Sequence, residues 1–211
     1  MNRLLKILRE EKREFVSHEE LKTYCKDLYF NYKIMSNYLV SRGYLLKIFD
    51  NIYYVKTDDE LKQKKVKYSI LELVGKGIEH WHNSSWYYGL YTALYLNNIK
   101  YEHKDKFYYL ISDRIISSRP RNILGKKFRF IQFKSVFLSF GIINKSIRYS
   151  NPEKTILDLI YMWDYSKITE DKIVIELSKL LNGISEEKIL EYSQHYPISN
   201  KNLLRKGLKK L

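Results

Sequence analysis

Apolar residues in the first part of the chain recur three and four positions apart, which is the spacing of helices with one buried face. This pattern predicts three helices. The first covers residues 2–12, and the second begins at the capping box Ser17–Glu20, in which hydroxyl and carboxylate each accept a backbone hydrogen bond. The third covers residues 32–42 and ends at Gly43, because glycine tolerates the left-handed turn that closes a helix.

Two strand-like runs follow the third predicted helix. They cover residues 44–49 and 52–56 and are joined by Asp50-Asn51, two residues that tolerate the positive φ of a tight hairpin turn. Three helices followed by a hairpin are the layout of a winged helix-turn-helix. The sequence therefore predicts a DNA-binding domain of this type at residues 1–66.

The third predicted helix has a polar face without an acidic residue. Its buried side is expected to consist of Ile34, Met35, Tyr38 and Leu39, and its exposed side of Lys33, Ser36, Asn37 and Ser41. Such a face can enter the major groove, where Asn37 can contact a base edge and Lys33 a guanine or a phosphate. The residues expected to contact the phosphate backbone are Arg42, Lys47 and Lys56. The alternative is a structural winged helix that docks another protein through the same face.

The rest of the chain, residues 67–211, predicts a mixed α/β domain that ends in helices, after a polar linker at residues 57–67. Helical spacing is present at residues 68–75, 86–97, 170–182, 185–195 and 199–211, and strand-like runs at 107–111, 114–117, 128–133 and 146–149. Asn151-Pro152 starts a further helix with an apolar interior. The fold class expected for the whole chain is α+β in two domains.

Charge is distributed unevenly along the chain. The 211 residues carry a formal net charge of +14, and residues 67–150 alone carry 14 basic and 5 acidic side chains. No acidic residue lies between Asp113 and Glu153. This segment predicts an anion-binding surface for DNA, RNA or an acidic protein patch. The residues expected to form it are Arg119, Arg121, Lys126, Lys127, Arg129 and Lys134.

Several classes of protein are disfavoured by composition. The single cysteine, Cys25, excludes an intramolecular disulfide and indicates a reducing environment, and its position favours a core residue. Apolar runs are too short for a membrane helix, and the first residues do not resemble a signal peptide, so a cytoplasmic protein without a membrane partner is expected. No phosphate-binding glycine loop is present, and no cofactor is predicted.

Two catalytic or metal-binding alternatives remain open at this point. Glu102-His103-Lys104 has the composition of a metal-dependent nuclease site, although a charged turn explains the same residues. Glu79, His80 and His82 offer metal-ligand types, but no second cluster completes four ligands. We expect neither a metal site nor an enzyme.

Asp158 is expected to pair with Arg148 or Arg121.

Three segments resemble one known family, the AbiEi-type antitoxins of abortive-infection systems. Residues 36–45 with 52–55 are similar to the end of that family's recognition helix and wing, and residues 84–94 to the helix after its linker. Residues 147–160 resemble its most recognisable motif, a strand followed by Pro-Glu-Arg-Thr and a helix with Leu-Asp. Lys154 stands where the family more often has arginine, which keeps the charge but loses the bidentate fork.

The resemblance implies a transcriptional regulator of a type IV toxin–antitoxin system. Such a protein binds repeats in its own promoter as an autorepressor, and its second domain counteracts a nucleotidyltransferase-like toxin. The partners expected are therefore double-stranded DNA and that toxin or its RNA target. The alternatives are a protein-interaction module that neutralises its partner without binding DNA and, third, the nuclease.

Overall fold

The computed structural model describes residues 3–81, 85–102, 106–114 and 117–210. The fold is α+β, and within these ranges ten α-helices accompany two β-sheets. The chain divides into two compact units, residues 1–83 with 123–125, and residues 84–122 with 126–211. In the described part of the chain, every helix is too short or too polar to cross a membrane.

The first unit contains five helices and one antiparallel sheet. Its elements are α1 (Arg3–Glu10), β1 (Phe15–Ser17), α2 (His18–Asp27), α3 (Tyr32–Ser41), β2 (Leu45–Phe49), β3 (Ile52–Val55), α4 (Asp58–Gln63) and α5 (Ile70–Trp81). The strand order is β1-β3-β2, and a register shift lies between Lys47 and Phe49 of β2. The predicted helices and hairpin are confirmed, whereas β1 has too few residues to show a pattern in the sequence.

The segment expected to be a linker is ordered by one buried carboxylate. Glu60 in α4 accepts hydrogen bonds from the Tyr54 hydroxyl and the Lys67 amide, both at 2.8 Å, and from the Thr57 amide at 2.9 Å. Burial alone would raise the pKa of Glu60, but these donors hold that pKa below its usual value. The linker prediction was wrong here because a single capping residue satisfies three donors at once.

Helix α5 also belongs to the first unit. It packs on all three strands of the small sheet, and a Cβ at Gly77 would lie 3.1 Å from Ile48 Cγ2. Phe49 and Trp81 pack with their ring centroids 5.4 Å apart. The domain boundary placed after residue 66 therefore lies inside this unit, because the apolar face of α5 covers the sheet.

The second unit contains a six-stranded mixed sheet and five helices. Its elements are β4 (Trp86–Tyr88), α6 (Leu90–Leu96), β5 (Phe107–Ser112), β6 (Arg121–Ile123), β7 (Lys126–Gln132), a 3-10 turn (Ser135–Leu138), β8 (Ile142–Asn144), β9 (Arg148–Ser150), α7 (Pro152–Tyr165), α8 (Glu170–Leu180), α9 (Glu186–Ser193) and α10 (Ile198–Leu208). The strand order is β6-β7-β5-β4-β9-β8. Strands β5 and β7, and β4 and β9, are parallel, whereas β4 with β5 and β8 with β9 are antiparallel.

Some local predictions for this unit were wrong. The helix expected over residues 86–97 begins only at Leu90, because residues 86–88 pair with β5 as strand β4. Arg114 lies in a bend rather than a strand, and residues 115–116 of that expected strand lie outside the described residues.

The four C-terminal helices are confirmed. Helix α7 forms the centre of the core, where Ile156, Leu159 and Ile160 are fully buried.

Candidate functional site

Helix α3 is fixed at its start by a cap and by the half-buried side chain of Tyr32. The Asn31 side chain accepts a hydrogen bond from the Ile34 amide at 3.1 Å. The Tyr32 hydroxyl lies 2.8 Å from His18 Nδ1 and 3.3 Å from the Tyr53 hydroxyl, and burial raises the pKa of Tyr32 to about 12. These contacts turn the Tyr32 side of the helix toward the core and so decide which face is exposed.

The exposed face of α3 differs from the predicted one by a rotation of about one position. Ser36 was expected on the exposed side, but it is only 6% exposed and its hydroxyl donates to the Lys33 carbonyl at 3.3 Å. Ile34 was expected inside, but it is 71% exposed, and Tyr38 is 40% exposed. The exposed stripe consists of Lys33, Ile34, Asn37, Tyr38, Ser41 and Arg42. Serine fits the buried side because its hydroxyl is satisfied within the helix.

Two residues of this stripe present polar groups without a side-chain partner among the described residues. Lys33 and Asn37 lie one turn apart and are both exposed. The Arg42 guanidinium lies 5.9 Å from the centre of the Tyr38 ring, and the Ser41 hydroxyl donates to the Tyr38 carbonyl at 3.0 Å. The stripe therefore combines cationic, amide and aromatic groups with no carboxylate from α3 itself.

The two basic residues expected on the hairpin are less available than those of α3. The Lys47 ammonium lies 3.0 Å from the Asp50 carboxylate, although both are largely exposed. Lys56 is half-buried, and its carbonyl accepts hydrogen bonds from the Arg9 guanidinium. An exposed ion pair of this kind is weak, so Lys47 can still exchange its partner for a phosphate.

The basic segment of the second unit does not form one continuous surface. Successive side chains of a strand point to opposite faces, so Lys126 lies opposite Lys127 and Arg129 on β7. Arg121 is half-buried and donates to the Ser117 hydroxyl at 3.1 Å. Lys134 is exposed at the start of the 3-10 turn. Of the six predicted residues, Arg119 and Arg129 both line one groove.

This groove runs between β7 and the C-terminal half of α7 and encloses about 820 Å³. Its floor is aromatic and includes Tyr109, Tyr161 and Trp163. The described residues that line it include two guanidinium groups and no carboxylate. The guanidinium of Arg129 lies 4.8 Å from the centre of the Phe107 ring, which restricts its position. Volume and lining are within the range of small-ligand sites.

A buried ion pair lies at the start of α7. Lys154 Nζ donates to Asp158 Oδ1 at 3.1 Å, and both side chains are 0% exposed. The hydroxyls of Tyr196 and Tyr87 donate to the two oxygens of Asp158 at 2.6 and 2.9 Å. The expected pairing of Asp158 with Arg148 or Arg121 is wrong, because Lys154 lies four residues away on the same helix.

The surroundings of this pair favour a structural role. The Lys154 ammonium lies 4.6 Å from the centre of the Phe140 ring and 4.8 Å from that of Tyr87. Burial lowers the pKa of Lys154 and raises the pKa of Asp158, each opposed by the charge of the other. Gly141, at φ +63°, leaves room for the lysine, because a Cβ there would lie 2.8 Å from Lys154 Cβ. The sequence signal for this pair was the four-residue spacing.

The remaining candidates carry little chemistry. Cys25 is confirmed as a core residue, and burial raises the pKa of its thiol. His80 Nε2 lies 3.1 Å from Glu20 Oε2, whereas His82 lies outside the described residues. Glu102 is exposed, and residues 103–105 of the nuclease hypothesis also lie outside them. Among the residues that the structure describes, no three potential metal ligands lie together.

No protein-family model matches the chain, and no curated protein matches it. Among solved structures, the chain is similar to the Rv2827c protein from Mycobacterium tuberculosis. The two share 12% sequence identity with a TM-score of 0.52, over 97% of this chain and 76% of that one. The similarity at this identity concerns the fold alone.

Proposed function

We propose that the chain is a DNA-binding autorepressor and antitoxin, and that its first unit is a winged helix-turn-helix. The observation that carries the proposal is the exposed stripe of α3, on which Lys33 and Asn37 lie one turn apart without a side-chain partner among the described residues. A helix of this composition fits the major groove of duplex DNA. No metal, cofactor or catalytic residue enters the proposal.

The order of elements supports this reading. Helix α1, strand β1, helices α2 and α3, and the hairpin β2–β3 follow one another as in a winged helix-turn-helix, with the three strands in one antiparallel sheet. The hairpin then provides the wing, and Lys47 and Arg42 can contact phosphates on either side of the groove. The net charge of +14 favours such a polyanionic partner.

A binding measurement with DNA tests the first part. Lys33→Ala is expected to weaken binding of the full chain to the duplex upstream of its own gene by about 1–3 kcal/mol. Lys62→Ala removes an exposed charge from α4 instead and serves as the matched control. Fluorescence anisotropy at fixed salt separates the two variants. Equal affinities of Lys33→Ala and Lys62→Ala for the duplex would mean that α3 does not enter the major groove.

The antitoxin part is supported by the sequence resemblance and by the basic residues of the second unit. We expect that replacing Arg119, Arg121, Lys126, Lys127 and Arg129 by serine abolishes growth rescue when the neighbouring nucleotidyltransferase-like toxin is expressed. All five lie on the surface or half-buried, so the fold is expected to persist, as circular dichroism would verify. Full rescue by this variant would leave the basic residues without a role in neutralisation.

One observation favours a second candidate, a module that docks a protein through the same face. Ile34 is 71% exposed beside Tyr38, and Tyr29, which precedes the helix, is also exposed. Exposed apolar side chains at one place suit a protein partner. The salt dependence of binding by the unchanged chain discriminates the two readings. DNA binding must weaken steeply with salt, whereas an apolar protein interface must not.

A further inference from the structure

The groove between β7 and α7 has a feature that the DNA-binding proposal does not use. Its lining includes two guanidinium groups, those of Arg119 and Arg129, and neither forms an ion pair with another described residue. Arginine binds phosphate through a planar fork of donors. Because the described lining contains no carboxylate, the charge of these two arginines is left for a ligand to neutralise.

The lining also includes an aromatic ring that contacts solvent. Tyr165 is the last residue of α7 and is 76% exposed, although it lines a groove whose floor is largely aromatic. A ring left exposed beside such a floor is suited to stack on a second flat ring. Trp163 is held below by its indole NH, which donates to the Tyr91 hydroxyl at 2.9 Å.

These lining residues define the chemistry of an occupant. It must carry a phosphate for the two arginines and a planar ring for Tyr165, within a space of about 820 Å³. We propose that this groove binds a nucleotide, with its phosphate on Arg119 and Arg129 and its base against Tyr165. Duplex DNA does not fit the concave site because its bases are stacked, whereas an unpaired base can enter.

The nucleotide can be free or part of a single-stranded RNA, and two titrations distinguish the sources. The full chain is titrated with AMP by calorimetry and with a labelled single-stranded RNA of about ten nucleotides by fluorescence anisotropy. Binding of AMP indicates a free nucleotide, and binding of the RNA alone indicates a strand whose neighbouring phosphates add affinity. Absence of binding by both probes at millimolar concentration would overturn the proposal.

Variants of Tyr165 and of the two arginines test the placement. Tyr165→Ala is expected to weaken binding of the probe about tenfold, because it removes one stacking partner. Tyr95→Ala is its matched control, since Tyr95 is equally exposed on α6 and does not line the groove. Arg119→Ser with Arg129→Ser is expected to weaken binding at least tenfold. Arg129→Ser also removes the contact with Phe107 and could disturb folding. Arg119→Ser alone changes an exposed position, so weaker binding by this single variant cannot be due to the loss of that contact.

The control for charge uses two lysines of β7 that do not line the groove. Lys126→Ser with Lys127→Ser removes two positive charges, as the arginine pair does, but leaves the groove lining intact. The proposal requires that this pair weakens binding less than the arginine pair does at the same salt. Equal losses would mean binding by general charge, and an equal affinity for a glutamate-rich peptide would mean an acidic protein site. Either outcome would overturn the nucleotide site.

This site is independent of DNA binding by the first unit. Lys33→Ala is expected to leave the affinity for AMP and for RNA unchanged, because α3 belongs to the other unit. If the chain fails to bind duplex DNA but binds nucleotides as described, only the DNA-binding proposal fails. If the chain binds duplex DNA but neither AMP nor the RNA, only the nucleotide-binding proposal fails.

Discussion

Helices α3 and α7 begin alike and then place their charges on opposite sides. Each is capped by an asparagine, Asn31 or Asn151, whose side chain accepts from an amide three residues on. In α3 the cation Lys33 faces solvent, whereas in α7 Lys154 is fully buried against Asp158. The same local signal thus starts a helix that presents its charge to solvent and one that uses it inside the core.

The difference shows what a charge on a helix can do in each place. A buried ion pair gains little over a well-packed apolar pair, but the loss of one partner leaves an unpaired charge in the core. An exposed lysine contributes little to stability and stays available for a partner. Substitutions in α7 are therefore expected to affect folding, and those in α3 binding.

The largest effect is expected at the buried pair of α7. Asp158→Asn leaves the Lys154 ammonium without a countercharge and should lower the free energy of unfolding by about 3–5 kcal/mol. Lys154→Met should have a similar effect. The double variant removes both charges, so it should cost less than the sum of the two single changes. Urea denaturation of the four proteins measures the comparison.

A pair with the same spacing on the surface provides the control. Lys6 and Glu10 lie four residues apart on α1, with the ammonium 3.6 Å from the carboxylate and both side chains mostly exposed. Glu10→Gln should change the free energy of unfolding by less than about 1 kcal/mol. Additive losses for the double variant of α7 would contradict the assigned role of its ion pair.

A smaller effect is expected at the two caps. Asn151→Ala and Asn31→Ala each remove one acceptor for a free helix amide, which costs about 1 kcal/mol. Asn151 should cost more, because it is buried and its amide also lies 3.4 Å from the Tyr192 hydroxyl. Aspartate at either position keeps the acceptor and should restore most of the stability. An equal loss at both sites would mean that burial adds nothing to the cap.

The smallest effect concerns pH and separates two of the buried carboxylates, Glu60 and Asp158. The pKa of Glu60 is held below its usual value near 4.5, so Glu60 stabilises the first unit above that pH, and this contribution is lost as pH falls through its folded pKa. Burial raises the pKa of Asp158, so its native state takes up a proton more readily than the unfolded chain. Acid should therefore weaken the region of Glu60 before that of Asp158.

Hydrogen exchange followed by mass spectrometry measures this order. Peptides that cover α4 should lose protection between about pH 5 and 3, after correction for intrinsic exchange. Peptides that cover the start of α7 should lose less. Glu60→Gln should abolish the pH dependence at α4 and lower its protection at neutral pH. Loss of protection in α7 first would reverse the expected order.

Helix boundaries could be predicted from the sequence because their signals are local. The capping box at Ser17 and the Asn151-Pro152 start are complete within four residues. Strands β1, β6 and β8 have three residues each, which is too few for a local pattern, and β1 also depends on a distant partner, β3. The exposed face of α3 was predicted only in part, because Tyr32 is anchored by His18 and Tyr53 from other elements.

The candidate sites were predictable to different degrees. Lys33, Asn37, Ser41 and Arg42 lie on the exposed stripe as expected, whereas Ser36 does not. Charge counting found Arg119 and Arg129 but could not separate them from Lys126 and Lys127, since the groove depends on how α7 crosses β7. Tyr165 carries no sequence signal, because one tyrosine at the end of a helix is indistinguishable from the other exposed tyrosines.

The most direct test of DNA binding by α3 compares two duplexes with one variant. The affinity of Asn37→Ala is measured by fluorescence anisotropy, at fixed salt, for the upstream duplex and for a scrambled duplex of the same composition. If Asn37 contacts a base edge, the variant loses about 1–3 kcal/mol of affinity for the upstream duplex and almost none for the scrambled one. Equal losses for both duplexes, or none for either, would contradict the account.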